Sequence, residues 1–435
     1  MQVSLLLFSS GLLDLMHAEE PASVQQQLQE LRQANTALQQ QLREQKSVID
    51  LLSHQVVELQ TARTDRDRQL AELKEGNTPP PAAGGFNLGN VHISGEGGVS
   101  FFNTGTEGFA PHAEFRVDEA KLFIEAPLWE NVYFFTELNL AQREYSDLYV
   151  NVGELYVDFE DVSLLWNRER QLNVRAGRLD IPFGEEYLHR DAIDNPLISH
   201  SLSDFWGVDE GVELYGAFGK FNYAVAVQNG GNSDTRDFNR DKSVAGRIGF
   251  DPNRWLHLSV SAMRTGDLDV NNDGVSAMWF GSGFFRSLAA GSGATLFHAN
   301  LVEGDVVVKW SRGQLGMFGG AACYDDNAPA GGNRRTVYYY SIEARQQLVR
   351  KLYAAARFSQ ILAANGVPIV GNGDFGNYFY GPLTKDIWRL SLGLGYRFSE
   401  NLLLKTEYSI ERGHEVGGDT RDQEDLFAVE AALKF

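Results

Sequence analysis

Apolar and polar residues alternate along most of this chain, and the alternation is clearest at its end. Phe427, Val429 and Leu433 share one face of the last segment, while Glu430 and Lys434 share the other. Because successive side chains of a strand point to opposite sides, this pattern predicts strands with one apolar and one polar face. Sixteen such strands are predicted, at 86–102, 112–126, 131–140, 148–160, 171–179, 210–218, 220–228, 243–250, 255–264, 295–311, 314–324, 335–346, 351–362, 386–398, 401–411 and 425–435.

The connections between these strands alternate in length. Those after even-numbered strands are mostly short, such as 127–130 and 399–400, with 161–170 as a longer case. Those after odd-numbered strands are long, such as 180–209 and 265–294. Short turns at one end and long loops at the other are typical of transmembrane β-barrels of the bacterial outer membrane, with the short turns in the periplasm. A soluble sandwich or β-helix is the alternative fold, and the regular rhythm of connections argues against it.

The region before the strands has a different pattern. Residues 24–73 carry apolar side chains at a sustained heptad spacing, which predicts a left-handed α-helical coiled coil. The predicted organisation is a signal peptide at 1–18, a periplasmic coiled coil at 19–75, a Pro/Gly linker at 76–85 and a barrel at 86–435. Two interpretations of the coil stay open: a spacer that clamps an oligomer, or a tether that binds the cell wall or another envelope partner.

Composition narrows the class of protein. Hydrophobic residues make up 43% of the chain without a long uninterrupted apolar run, which excludes a polytopic helical membrane protein. The formal net charge of −20 argues against nucleic acid as a partner. No G-x-S-x-G, H-E-x-x-H or Walker pattern occurs, so the sequence predicts no enzyme activity and no resident cofactor.

One stretch resembles a known family. Gly177, Pro182, Phe183, Gly184 and Glu186 match the G-x-x-x-x-P-F-G-x-E stretch of porins in the phosphate-selective O/P superfamily. The resemblance implies a sixteen-stranded, usually trimeric pore for passive diffusion through the outer membrane. It does not establish phosphate selectivity, because the matching stretch does not extend to the lumenal Arg and Lys residues on which that property depends.

The third long connection, 180–209, is the candidate pore constriction, by analogy with sixteen-stranded porins whose third loop folds into the lumen. The loop is rich in carboxylates, and a ring of carboxylates in a narrow aqueous passage favours cations. The alternative is a solvated loop whose charges have little effect. The candidate constriction residues are Asp180, Glu185, Glu186, Arg190, Asp191, Asp194 and Asp204.

Projecting the alternation inward gives a wall of nearly balanced charge, so the wall does not set the sign of the ion preference. A slip of one residue in register would invert any of these assignments. The candidate wall residues are Arg116, Glu137, Arg175, Glu213, Arg247, Lys309, Arg345, Arg357, Arg389, Arg397 and Lys405.

A weak calcium candidate lies in a later loop. Asp269, Asn271 and Asp273 match the D-x-N-x-D-G opening of a calcium-binding loop, but its twelfth position is Phe280 rather than a bidentate Glu. A turn rich in Asp and Asn is the alternative.

The predicted function is therefore a homotrimeric channel in outer-membrane lipid for small hydrophilic solutes and ions. Two alternatives remain at this point: a phosphate- or anion-selective porin, and a structural tether between outer membrane and cell wall.

Overall fold

The computed structural model describes residues 86–435 except 107, 109, 143–149, 231–236, 238–239, 274–291, 333 and 368–382. The predicted signal peptide, coiled coil and linker lie outside the described residues. No helix in the described part of the chain is long and apolar enough to span a membrane.

The described residues form a barrel of sixteen strands, which confirms the predicted fold. Three short paired segments, Phe86–Leu88, Leu268–Asp269 and Thr420–Arg421, extend the sheet beyond it. The barrel strands are β1 (Val91–Thr104), β2 (Glu114–Trp129), β3 (Val132–Ala141), β4 (Asn151–Phe159), β5 (Asn173–Asp180), β6 (Val208–Phe218), β7 (Phe221–Gln228), β8 (Ser243–Asn253), β9 (Leu256–Arg264), β10 (Leu296–Trp310), β11 (Gly313–Asp326), β12 (Arg335–Val349), β13 (Leu352–Val367), β14 (Thr384–Ser399), β15 (Leu402–Glu415) and β16 (Leu426–Lys434).

Each strand pairs antiparallel with its neighbours in the chain, and the last strand closes the barrel on the first. Leu426 lies opposite Thr104, and Lys434 opposite Glu96. The terminal Phe435 continues this ladder, since its backbone N–H donates to Gly95 O at 2.8 Å and its carbonyl accepts from Gly95 N at 3.1 Å. Closure leaves no strand edge open along this seam.

The predicted alternation sorts side chains between the two faces of the barrel. Outward positions keep large apolar side chains exposed, as at Phe115 (82%), Val260 (65%) and Ile248 (60%). Inward positions hold buried polar side chains, including Arg247 and Lys405. A soluble protein buries its apolar face, so an outer surface of this kind fits a lipid environment.

Connection lengths also follow the predicted rhythm. Six of the seven connections after even-numbered strands are turns of two residues; the seventh, 160–172, contains a short 3₁₀ helix, Val162–Trp166. Gly219 supports one of the tight turns with a φ of +64°, a conformation that costs glycine little. The connections after odd-numbered strands are longer, and the third, 181–207, turns into the barrel.

Candidate functional site

The loop at 181–207, called the inner loop below, crosses the interior of the barrel. Its ends meet where Ile181 N donates to Gly207 O at 3.0 Å. Phe183, Leu202 and Phe205 from the loop join a buried cluster with wall residues that include Phe297 and Ile387. Apolar packing of this kind holds the loop against the wall, because each buried side chain is removed from water.

Cationic side chains of the wall bind the backbone carbonyls of the inner loop. Lys405 Nζ donates to Ala192 O at 2.6 Å and to Leu197 O at 2.8 Å, and forms an ion pair with Glu430 at 2.8 Å. Further along the loop, Arg357 donates to Ser199 O at 2.6 Å, and three more wall arginines act in the same way. Arg247 donates to Gly184 O at 2.8 Å, Arg389 donates to His200 O at 3.1 Å, and Arg397 donates to Ile193 O at 3.3 Å.

A wall carboxylate binds the backbone amides of the same loop. Glu407 Oε2 accepts hydrogen bonds from Ile198 N at 2.6 Å and Ser199 N at 2.8 Å. Its Oε1 accepts from the Ser199 hydroxyl at 2.5 Å. Hydrogen bonds to charged partners are stronger than neutral ones, so β13 to β15 fix this part of the loop firmly.

Asp204 and Arg190 form a buried ion pair within the loop. Arg190 donates to Asp204 Oδ2 at 2.9 Å, and its guanidinium lies 4.5 Å from the centre of the Trp206 ring. Burial alone would raise the pKa of Asp204, but Arg190 and the adjacent His200 hold it well below its usual range. This acid therefore carries a compensated charge rather than a free one.

Glu185 and Glu186 point in different directions. Glu185 accepts from His257 Nε2 of β9 at 2.6 Å; burial would raise its pKa, but His257 and Arg247 hold it below its ordinary value. Glu186 accepts from the backbone N–H of Ser201 at 2.9 Å and from its hydroxyl at 2.5 Å. Burial, reinforced by the negative charge of Asp204, raises the pKa of Glu186 to about 7.

Asp191 joins the loop to β1 and β2. It forms an ion pair with Lys121, while Glu119 accepts a hydrogen bond from Ala192 N at 2.5 Å. Burial opposes ionisation of Asp191, but Lys121 lowers its pKa below the usual value. One carboxylate oxygen from each of Glu96, Glu119 and Asp191 lies within 4.8 Å of the others, and the Lys121 ammonium is 3.8 Å from Glu96. The lysine therefore already neutralises part of this cluster.

The remaining wall candidates also lie on the inward face. Arg175 bonds Asp158 at 2.9 Å and Glu213 at 3.4 Å, and Arg116 lies 3.7 Å from Glu114. Arg345 stacks 4.7 Å from the centre of the Tyr353 ring, Lys309 is exposed, and Glu137 is buried.

Most of the loop carboxylates proposed for the constriction have a partner in this geometry. Glu185, Asp191 and Asp204 are paired with cations, and Glu186 is hydrogen-bonded within the loop. Asp180 accepts a hydrogen bond from the Trp206 indole at 3.2 Å. Asp194 is half-buried, and its backbone N–H donates to Asp191 O at 2.9 Å in the same turn.

The calcium candidate acts as a turn. Asp269 Oδ1 accepts from Asn271 N at 3.0 Å, and Asp273 Oδ2 accepts from Asp269 N at 2.7 Å. These carboxylates are directed at backbone amides, as in Asx turns.

Two inward residues, Glu119 and Lys121, were missed from the sequence because β2 contains a bulge. Gly98 pairs with Glu119 while Val99 pairs with Val117, so Asp118 is an extra residue. A bulge shifts the faces of all later side chains by one position. His257 was visible as a strand residue, but nothing in the sequence marked it as the partner of Glu185.

Comparison with known proteins gives the class of fold. No family model matches the chain, and no curated protein matches its sequence. Solved structures do match: OmpT of Vibrio cholerae has a TM-score of 0.51 at 10% identity, covering 81% of this chain and 100% of that one. The outer membrane channel DcaP of Acinetobacter baumannii has a TM-score of 0.52 at 11% identity, covering 81% of this chain and 99% of that one. OprB of Pseudomonas putida has a TM-score of 0.50 at 11% identity, covering 79% of this chain and 93% of that one. The fold is thus that of the sixteen-stranded outer-membrane barrels.

Proposed function

We propose that this protein is an outer-membrane porin, a water-filled channel for passive diffusion of small hydrophilic solutes and ions, and not an enzyme. The observation that carries the proposal is the inner loop, which wall side chains of β8, β9 and β13 to β15 hold inside a closed barrel. A loop fixed across a lumen narrows a passage without closing a catalytic pocket. The similarity of the fold to a structure described as an outer membrane channel supports the same function.

We further propose that the channel prefers cations. The inner loop lies against β1 and β2, β8 to β10 and β13 to β15, which leaves the inner faces of β3 to β6 as the rest of the passage wall. Glu137, Glu154 and Asp180 lie there, and none of them forms an ion pair with a cationic side chain among the described residues. By contrast, the wall cations that a phosphate-selective pore would need mostly bind loop carbonyls or carboxylates.

We also propose an oligomeric state and a family for the barrel. A homotrimer is supported by the fold similarity to OmpT of Vibrio cholerae in its trimer form, which has a TM-score of 0.50. We keep the O/P superfamily as the proposed relationship, on the stretch 177–186. Since β1 begins and β16 ends at the short-turn end, a coiled coil at 19–75 would project into the periplasm, where it would clamp the oligomer or bind the cell wall.

The test is conductance of the refolded full-length protein in a planar bilayer with a salt gradient. Steps in groups of three with a cation-leaning reversal potential are expected. A reversal potential on the anion side, with block by phosphate, would contradict cation preference and favour the phosphate-selective alternative. A correctly folded barrel without conductance would contradict the porin function, and loss of envelope integrity on deletion of 19–75 would then favour the tether.

A further inference from the structure

A row of ring systems crosses the inward face of β2 to β6. The rings of Phe123 and Phe135 are 6.1 Å apart and inclined by 23°, and those of Phe135 and Tyr156 are 5.1 Å apart and inclined by 27°. The Arg175 guanidinium continues the row, 5.0 Å from the centre of the Tyr156 ring and 4.3 Å from that of Tyr215. We call these five residues the aromatic row.

The aromatic row lies beside a level of carboxylates. On β3, Glu137 is the next inward residue after Phe135 and lies nearer the long-loop end of the barrel. On β4, which runs the other way, Glu154 comes before Tyr156 and also lies nearer the long-loop end. Phe123 lies directly opposite Glu137 in the strand register. A solute that passes the level of the carboxylates therefore meets ring faces next.

The buried side-chain amide of Asn139 lies next to Glu137. Asn139 is fully buried on the next inward position of β3, and its Oδ1 has no hydrogen-bond partner among the described residues. A Cβ added at Gly153 would lie 2.1 Å from Glu137 Oε1 and 2.6 Å from Asn139 Nδ2, so both side chains converge on the space that this glycine leaves. Gly153 therefore leaves room for the Glu137 carboxylate on the inner face of the barrel.

We infer that this sector of the lumen binds organic cations. The cationic centre lies between Glu137 and Glu154, while the hydrocarbon groups around it lie on the aromatic row. Glu137, Glu154 and Asp180 have no ion-pair partner among the described residues, so a cation is the solute that would compensate them. Ring faces also attract cations through their negative π-faces. Arg175, held over two tyrosine rings, is the chain's own example of this contact.

This inference rests on the proposed channel function and adds the class of solute to it. The test uses the full chain in planar bilayers with potassium chloride, and tetraethylammonium as the blocking probe. Phe135→Leu removes one ring face and keeps apolar volume. Phe358→Leu is the matched control, because Phe358 and Trp388 form a pair at the same 6.1 Å and 23° on the outward face.

We expect tetraethylammonium to block the wild-type current, and Phe135→Leu to raise the half-blocking concentration about 5-fold, as loss of one cation–π contact implies. Glu137→Gln should raise it further, and Phe358→Leu should leave it unchanged. Block that is equal in Phe135→Leu and wild type would overturn the inference, as would block by glucose without block by tetraethylammonium. A wild-type protein that conducts potassium but is not blocked overturns the inference alone, whereas one that does not conduct overturns the porin function as well.

Discussion

Lys405 offers the sharpest test of how the inner loop is held. We predict that Lys405→Met loosens the loop while leaving the barrel folded. The ammonium is almost fully buried and donates to Ala192 O, Asn195 O and Leu197 O, at 2.6, 3.3 and 2.8 Å. Methionine has a similar length, so the change removes charge and hydrogen bonds without opening a large cavity.

The expected loss of local stability in Lys405→Met follows from these contacts. Each hydrogen bond to a charged group contributes about 1.5–3 kcal/mol, and breaking a buried ion pair costs about 3–5 kcal/mol because the partner is left uncompensated. Here that partner is Glu430, 2.8 Å from Lys405 and fully buried. A loss of about 3–5 kcal/mol in local stability raises the opened population of the loop by about two to four orders of magnitude.

Amide hydrogen exchange and bilayer current noise measure the effect. Ile198 N and Ser199 N, which donate to Glu407, should exchange about 10²-fold faster or more, and the open-channel current should become noisier. Lys309→Met is the matched control, since Lys309 is an exposed wall lysine. The variant Lys405→Met with Glu430→Gln separates the two causes, because it removes the stranded charge but not the lost carbonyl bonds. Unchanged exchange at both amides in Lys405→Met would refute the reasoning.

Three further predictions concern pH, the loop ion pair and the lipid face. The pKa of Glu186 is raised from 4.5 to about 7, so its contribution to loop stability is full below pH 4.5 and is lost as pH rises through about 7. Over the same pH range, ionisation of Glu186 should move the reversal potential toward cations. The variant Glu186→Gln should remove most of this pH dependence. A titration that persists in Glu186→Gln would contradict the assignment. Arg190→Leu leaves the buried Asp204 with the His200 ring but no arginine beside it, and should cost about 3 kcal/mol of local stability by hydrogen exchange, with a smaller loss in Arg190→Lys. Val260→Arg on the outward face should cost about 2–4 kcal/mol in refolding titrations into lipid, while Val349→Arg at the strand end should cost about 0–1 kcal/mol; equal costs would argue against a lipid-facing belt.

The strands were predictable because their signal is local. A period of two in the side chains and the alternating lengths of the connections place all sixteen strands within a few residues of their observed bounds. The first strand shows the limit: the prediction began it at 86, whereas Phe86–Leu88 folds back on Val91–Ile93 as a separate segment. Gly89, with a φ of +66°, makes that turn.

The site was less predictable because its contacts are remote in sequence. A single extra residue at Asp118 brought Glu119 and Lys121 inward, and no feature of the sequence marks that bulge. The pairing of Asp191 with Lys121 joins residues 70 positions apart, and that of Glu185 with His257 joins residues 72 apart. Periodicity gives the face on which a charge lies, but not the charge that neutralises it.

The charged wall residues of β13 to β15 bind the inner loop mainly through its backbone. Lys405, Arg357 and Arg397 bind its carbonyls, and Glu407 binds its amides. Every residue except proline carries both of these groups, so the attachment places few restrictions on which side chains the loop displays toward the passage. Side chains there can be exchanged to retune which solutes pass while the fastening of the loop stays intact. The stability of the inner loop and the chemistry of the side chains that it presents to solutes can therefore be changed independently.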